Sequence, residues 1–267
     1  MTGSRFAFLD HPGLIAFAHR GGSLEGSENT WTAFSHARDL GYRYMETDVH
    51  ATSDGVVVTV HDPDLLRVSD PSKEDGRGRP VREQTWTELS GQRLNGDEPI
   101  PRLDELLAAW PEIRWNIDAK HDTVVEPLIA TLRTSDAVER VCVTSFSDRR
   151  LADIRRELGP RLCTAMGPAA VTALRLASLL PKDAGVTLAA GPLRRFGAAQ
   201  VPLRQWAMPL VDRRFVEAAH RIGLQVHVWT IDDETTMTDL VDLGVDGIMT
   251  DRPTTLKEVL ERRGLWR

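Results

Sequence analysis

Residues 14–22 read LIAFAHRGG. An apolar run of strand length stops on His19 and Arg20, and Gly21 and Gly22 then follow with no side chains at all. The pattern returns in VVVTVHDPD, residues 56–64, where a β-branched run ends on His61. Runs of this kind read as strands buried on both faces, as in a parallel sheet covered by helices. Outward from residue 14, short apolar runs alternate with helical stretches along the whole chain. The runs that predict strands are LIAFAH (14–19), YMETDV (44–49), IRWNIDA (113–119), VCVTSF (141–146), RLCTAM (161–166), AAQVP (198–202), LQVHVWT (224–230) and GIMTD (247–251). Between them lie stretches such as NTWTAFSHARDLG (29–41), with Asn29 as N-cap and Gly41 as C-cap, and RRFVEAAHRIG (213–223), ended by Gly223.

Eight such units in 267 residues predict an α/β fold, a (β/α)8 TIM barrel in a single domain spanning 1–267. A doubly wound sheet is the alternative. The rhythm breaks once. After the short extra strand VVVTV (56–60), residues 62–100 are rich in charge, Gly and Pro and show no clear core face. They read as a small rim insertion after the second strand, too short for a core of its own. Within it the charged run SKEDGRGR (72–79) reads as a solvated loop.

A composition of 41% hydrophobic and 27% charged residues is that of an ordinary globular protein. The net charge of −6 and pI near 5.8 argue against a nucleic-acid partner, which needs a basic face. They leave room for a local site of opposite sign. Cys142 and Cys163 lie inside apolar runs and read as buried thiols. With no secretory leader and no run of the ~20 apolar residues that spans a bilayer, a cytoplasmic location without stable membrane insertion is the expectation.

In a parallel barrel the active site lies at the C-terminal ends of the strands. Strand one ends in His19-Arg20, strand two carries Glu46 and Asp48, the extra strand ends in His61, strand three ends in Asp118-Ala119-Lys120, and strand seven ends in Trp229. Alternation puts Glu46, Asp48 and His50 on one face and Asn116, Asp118 and Lys120 on another. Carboxylates inside a barrel are expensive unless paired, hydrogen-bonded or bound to metal. Glu46, Asp48 and Asp118 are hard oxygen ligands of the kind Ca²⁺ or Mg²⁺ prefers, and Mn²⁺ also accepts them. A cation of this kind with Arg20 and Lys120 makes a pocket for an anionic phosphate. Two histidines beside it supply a general acid and a general base, which completes a set of groups able to cleave a phosphodiester.

At these residues the sequence resembles the glycerophosphodiester phosphodiesterase family. HRG with SENT, ETDVH, HDPDLLRVSD, NIDAK, VWTID and GVDGIMTDRP occur in the family's order from about residue 14 to residue 255. The resemblance implies a TIM barrel with a rim insertion and a metal-dependent hydrolase acting on a small-molecule glycerophosphodiester. Its products are glycerol 3-phosphate and an alcohol. It makes His19 and His61 the acid–base pair, Glu46, Asp48 and Asp118 the ligands of one divalent cation, Arg20 and Lys120 phosphate contacts, and Trp229 a border of the substrate. Glu28 and His50 are candidates for supporting roles behind these groups. The implied mechanism is substrate-assisted: the glycerol 2-hydroxyl attacks phosphorus and water opens the cyclic phosphate. Which histidine acts first is open in the sequence; the favoured order has His19 as acid for the leaving alcohol and His61 as base. Ser27 stands where the family commonly has proline, Asp118 where it often has glutamate, and Asp232 where asparagine is common.

Two other functions compete. One is a lysophospholipid- or sphingolipid-cleaving relative, which needs an exposed apolar patch that the polar insertion does not offer. The other is a phosphate-binding module without catalysis.

Overall fold

The structure, a computed structural model, describes residues 5–69, 78–181, 191–205 and 208–267. Residues 72–77 of the charged run lie outside them. All of the strands expected of the barrel form: β1 Ile15–Ala18, β2 Tyr44–Ala51, β3 Arg114–Ala119, β4 Val141–Thr144, β5 Cys163–Thr164, β6 Ala198–Pro202, β7 Gln225–Trp229 and β8 Gly247–Thr250. They run parallel in the order β5-β4-β3-β2-β1-β8-β7-β6. Between β5 and β6 the sheet closes through a single parallel bridge, Ala165 to Ala198, with Met166 N–H donating to Ala198 O at 2.9 Å.

Alternation sorts each strand between two apolar environments. Outward-facing Met45, Trp115, Ile117, Val141 and Val143 pack under helices in one cluster around β1–β4. Ala199, Val201, Val226, Val228 and Ile248 pack under helices in a second cluster around β6–β8. Inward-facing Ile15, Phe17, Tyr44, Cys142, Cys163, Ala165 and Met249 fill the barrel with Phe6, Phe8 and Leu9 of the N-terminal segment, which plugs its lower end. Both cysteines are buried free thiols, as their apolar surroundings imply.

Among these apolar side chains the interior also carries a polar ladder, with Asn116 in register with Cys142 and His227 in register with Gln200. Gln200 Nε2 donates to Asn116 Oδ1 at 2.8 Å and lies 3.3 Å from His227 Nδ1, and His227 Nε2 meets Gln225 Oε1 at 2.9 Å. Gly247 makes room for this ladder: a Cβ there would come within 2.8 Å of the His227 ring and 2.9 Å of Phe17.

The segment after β2 explains how His61 reaches the mouth. Val57–Thr59 runs back antiparallel to β2, pairing Val49 with Thr59 and Ala51 with Val57. It is not a barrel strand. It returns the chain to the level of Asp48, whose carbonyl accepts from Val60 N–H at 3.0 Å. The insertion does have an apolar face, contrary to the sequence reading: Leu65, Val68, Val81, Leu89, Leu94 and Ile100 gather on Val58 and Val60. Its apolar residues are spaced singly among charges, so no periodicity announces the cluster.

Burial pushes the His227 imidazole down to about 4, with Asp246 opposing only weakly. The folded pKa lies below the unfolded value of 6.5. The stability this group contributes is therefore complete above that value and is lost as pH falls toward 4. His50 titrates with the same sign. Urea unfolding between pH 7 and pH 4 is expected to show falling stability, with His227→Gln reducing the slope by up to about 1.4 kcal/mol per pH unit.

Candidate active site

His19 and Arg20 leave β1 in a tight turn, His19–Gly21, with Arg20 at φ 52°. The two glycines let the turn pack closely against its neighbours. A Cβ on Gly21 would meet Ala33 at 2.8 Å, and one on Gly22 would meet Pro253 at 2.6 Å. The turn thus nests against the helix Trp31–Asp39 and against the start of the last helix, Pro253–Arg262.

The carboxylates are buried. Glu46 and Asp48 project from β2, and Asp48 is paired in register with Asp118 on β3. Lys120 Nζ bridges them at 2.7 Å from Asp48 Oδ1 and 2.6 Å from Asp118 Oδ2. Arg20 Nε lies 2.9 Å from Asp48 Oδ2, an ion contact whose N–H does not align as a hydrogen bond. Arg20 N–H donates to Glu46 Oε2 at 3.2 Å. Burial works against Asp48, yet Lys120 and Arg20 outweigh it and hold the carboxyl below its ordinary range. Glu46 goes the other way: burial and the neighbouring Asp48 charge push it up to about 8. Asp118 is also raised, chiefly by burial.

Each expected catalytic histidine rests on an aspartate. His19 Nδ1 donates to Asp251 Oδ1 at 2.7 Å, and its Nε2 faces Glu46 Oε2 at 3.6 Å. Burial lowers the His19 pKa, but Glu46 and Asp251 more than compensate, so it lies above the ordinary 6.5. Asp251 is anchored in turn, its N–H donating to Asp232 Oδ1 at 2.8 Å. That is what the aspartate in VWTID does. His61 Nδ1 meets Asp62 Oδ1 at 2.6 Å. His50 Nε2 lies 3.2 Å from the His61 carbonyl and burial takes its pKa down to about 4, so it stays a neutral donor that fixes the His61 backbone. Trp229 ends β7 edge-on to Phe146, ring centroids 6.0 Å apart. Glu28 accepts from Arg20 Nη1 at 3.2 Å.

Several residues support the site in ways that the sequence does not announce. Asn29 is the clearest. It is not the N-cap of helix Trp31–Asp39; Thr30 is, accepting from Ala33 N–H at 3.2 Å. Asn29 stands at φ 56° and turns inward, donating to Asp48 Oδ2 at 3.1 Å and accepting from Thr47 Oγ1 at 2.7 Å. Asp251, Asp62 and Arg67 are the others. Asp62 and Asp251 sat in the quoted motifs HDPDLLRVSD and GVDGIMTDRP, and adjacency to a histidine or a strand end was the available signal. Ser27, in place of the family's proline, ties this loop to the insertion through Asn95 O at 3.1 Å.

No group of three or more His, Cys, Asp or Glu side chains is gathered in a metal-holding arrangement among the described residues. The donor chemistry nonetheless fits a hard cation. Asp118 Oδ1 is buried without a hydrogen-bond partner, and Glu46 is destabilised as an anion beside Asp48. Oxygen-only donors in this state match Ca²⁺, Mg²⁺ or Mn²⁺.

A barrel mouth built this way belongs to a hydrolase of phosphodiesters. The "Glycerophosphoryl diester phosphodiesterase family" matches residues 19–255, and the chain belongs to that family. It is 38% identical to "Probable glycerophosphodiester phosphodiesterase 2" of Mycobacterium tuberculosis, over 97% of this chain and 95% of the relative. The fold is shared with the crystal structure of a glycerophosphodiester phosphodiesterase from Agrobacterium tumefaciens (TM-score 0.73, 24% identity, 92% of this chain and 99% of the other). It is also shared with a phosphodiesterase from Oleispira antarctica in complex with the product sn-glycerol-3-phosphate (TM-score 0.73, 21% identity, 93% and 97% covered). No helix among the described residues is long and apolar enough to cross a membrane.

Asn29→Ala removes a buried donor to Asp48 and the acceptor of Thr47, leaving both under-satisfied. A loss of about 2–3 kcal/mol is expected in urea unfolding, beyond the ordinary effect of a surface change.

Proposed function

We propose that the enzyme hydrolyses glycerophosphodiesters to sn-glycerol 3-phosphate and an alcohol, with His19 and His61 as the acid–base pair. The observation that carries this reading is that each histidine is held through Nδ1 by its own aspartate, at 2.7 Å and 2.6 Å, beside a cationic pair from Arg20 and Lys120. An aspartate on Nδ1 fixes the tautomer and directs Nε2 to proton transfer. The raised pKa of His19 gives it more of the protonated form near neutrality than an ordinary histidine, which suits the acid that protonates the leaving alcohol. His61 takes the proton of the attacking glycerol 2-hydroxyl as His19 protonates the departing alcohol, and water then opens the resulting cyclic phosphate to glycerol 3-phosphate. Arg20 and Lys120 bind the phosphoryl oxygens and oppose the charge that grows on them. Trp229 and Phe146 border the alcohol.

Glu46, Asp48 and Asp118 would hold one divalent cation, Ca²⁺, Mg²⁺ or Mn²⁺. Bound there, it supplies Lewis-acid stabilisation of the phosphate. Such a cation would offset the charge of Glu46 beside Asp48 and favour its ionised form.

A specific observation favours a second substrate class, lysophospholipids. Phe146 is 70% exposed, Leu24 58% and Leu66 56%, on loops that follow β4, β1 and β2. These apolar side chains stand exposed on loops at the mouth end of the barrel, Leu66 on the insertion itself.

Release of glycerol 3-phosphate from glycerophosphocholine is the test. Activity is expected to vanish in EDTA and return with one divalent cation. His19→Ala and His61→Ala are each expected to reduce kcat by roughly 10²–10⁴. Values within a few-fold of wild type would remove the acid–base assignment. Lysophosphatidylcholine in the same assay separates the two substrate classes.

A further inference from the structure

The insertion delivers more than His61. Arg67 lies on it and is half exposed, yet its guanidinium is fully engaged by two carboxylates from different segments. Its Nε donates to Asp62 Oδ2 at 2.6 Å, while Nη1 and Nη2 grip Glu28 at 2.8 and 2.7 Å. Asp62 uses its other oxygen to hold His61 Nδ1, and Glu28 also accepts from Arg20 Nη1 at 3.2 Å. One guanidinium therefore sets the carboxylate behind a histidine and the carboxylate behind a phosphate-facing arginine.

We infer that Arg67 is a positioning residue for the hydrolysis: through Asp62 it fixes the tautomer and direction of His61, and through Glu28 it fixes Arg20. The inference deepens the functional reading above and rests on it for its kinetic part. The planar fork matters. Two parallel bonds to Glu28 and a third, on the Nε edge, to Asp62 require the geometry of arginine, which the single ammonium of lysine cannot supply. Exposed ion pairs contribute little to stability, with a median of about 0–1 kcal/mol. A structural role for Arg67 thus predicts a small loss of stability and nothing else. A positioning role predicts a kinetic loss much larger than the stability change.

The experiment uses Arg67→Met, Arg67→Lys, Asp62→Asn and the double variant Arg67→Met/Asp62→Asn in the full chain. Melting temperature, kcat and KM for glycerophosphocholine are measured, together with ¹⁵N–¹H spectra of the imidazoles, His61 being assigned by its loss in His61→Gln. Arg67→Met is expected to lower kcat by about tenfold or more, the range found when groups behind a functional side chain are removed. It should also raise KM through the loosened Arg20 and leave the melting temperature near wild type. Arg67→Lys should not restore kcat. The double variant should lose less kcat than the product of the two single losses, because both act in part through His61. In the spectra, wild-type His61 should carry its proton on Nδ1, and Arg67→Met should mix the tautomers.

Wild-type kcat in Arg67→Met, multiplicative losses in the double variant, or an unchanged His61 spectrum would each overturn the inference. A wild-type protein that releases no glycerol 3-phosphate would instead defeat the substrate reading. The His61 spectra, which need no turnover, would still decide the role of Arg67.

Discussion

The constraint on which the mouth of this barrel depends is the burial of three carboxylates side by side on adjacent strands, two on β2 and one in register on β3. Glu46, Asp48 and Asp118 are each about 5% exposed or less. Unpaired charges at that depth are prohibitive, and buried pairs are favourable only with good geometry and further hydrogen bonds. The fold answers with Lys120 between two of them, Arg20 against one, and the amide of Asn29 on Asp48. Glu46 receives the least compensation, and its pKa registers the deficit. The site is therefore an acidic core partly balanced by cations, and the remaining imbalance is what a divalent ion would correct.

The barrel itself was legible because both faces of each strand are apolar or functional, and helical stretches with glycine stops separate them. The strand-end residues were legible for the same reason: a charged group at the end of a buried run has few structural excuses. What stayed hidden was the partner of each group. His19 and Asp251 are 232 residues apart in sequence, and Arg67 and Glu28 are 39 apart. Pairings at such distances are set by closure of the barrel and by the path of the insertion, neither of which leaves a local pattern. Asn29 misled for a different reason. Asparagine before a helix satisfies the capping rule, and only the left-handed backbone, which aims its amide inward, shows that Thr30 has taken the cap.

The short antiparallel return after β2 also recasts the insertion. Its apolar cluster is built on Val58 and Val60, so it grows from the same hairpin that ends in His61. The packing that holds the insertion therefore also places that histidine. The loop after β1 is tied to it through Ser27, Glu28 and Arg67, so the segments bearing the two histidines are braced against each other outside the sheet.

The seam between β5 and β6 carries a different consequence. The outer apolar clusters divide there, one around β1–β4 and the other around β6–β8, and a single bridge joins the strands. The histidines, carboxylates and cations of the site lie on β1, β2 and β3, on the segments that follow them, and at the end of β8, away from that seam, whereas Trp229 at the end of β7 and Phe146 after β4 stand nearer to it. Breathing of the barrel is cheapest where fewest ladder bonds must break. Opening along this line would leave the histidines and carboxylates on β1 to β3 and β8 in their mutual arrangement. Amide exchange should be fastest across β5 and slowest across β1 to β3, which would set the barrel's compliant seam apart from the strands that carry its histidines and carboxylates.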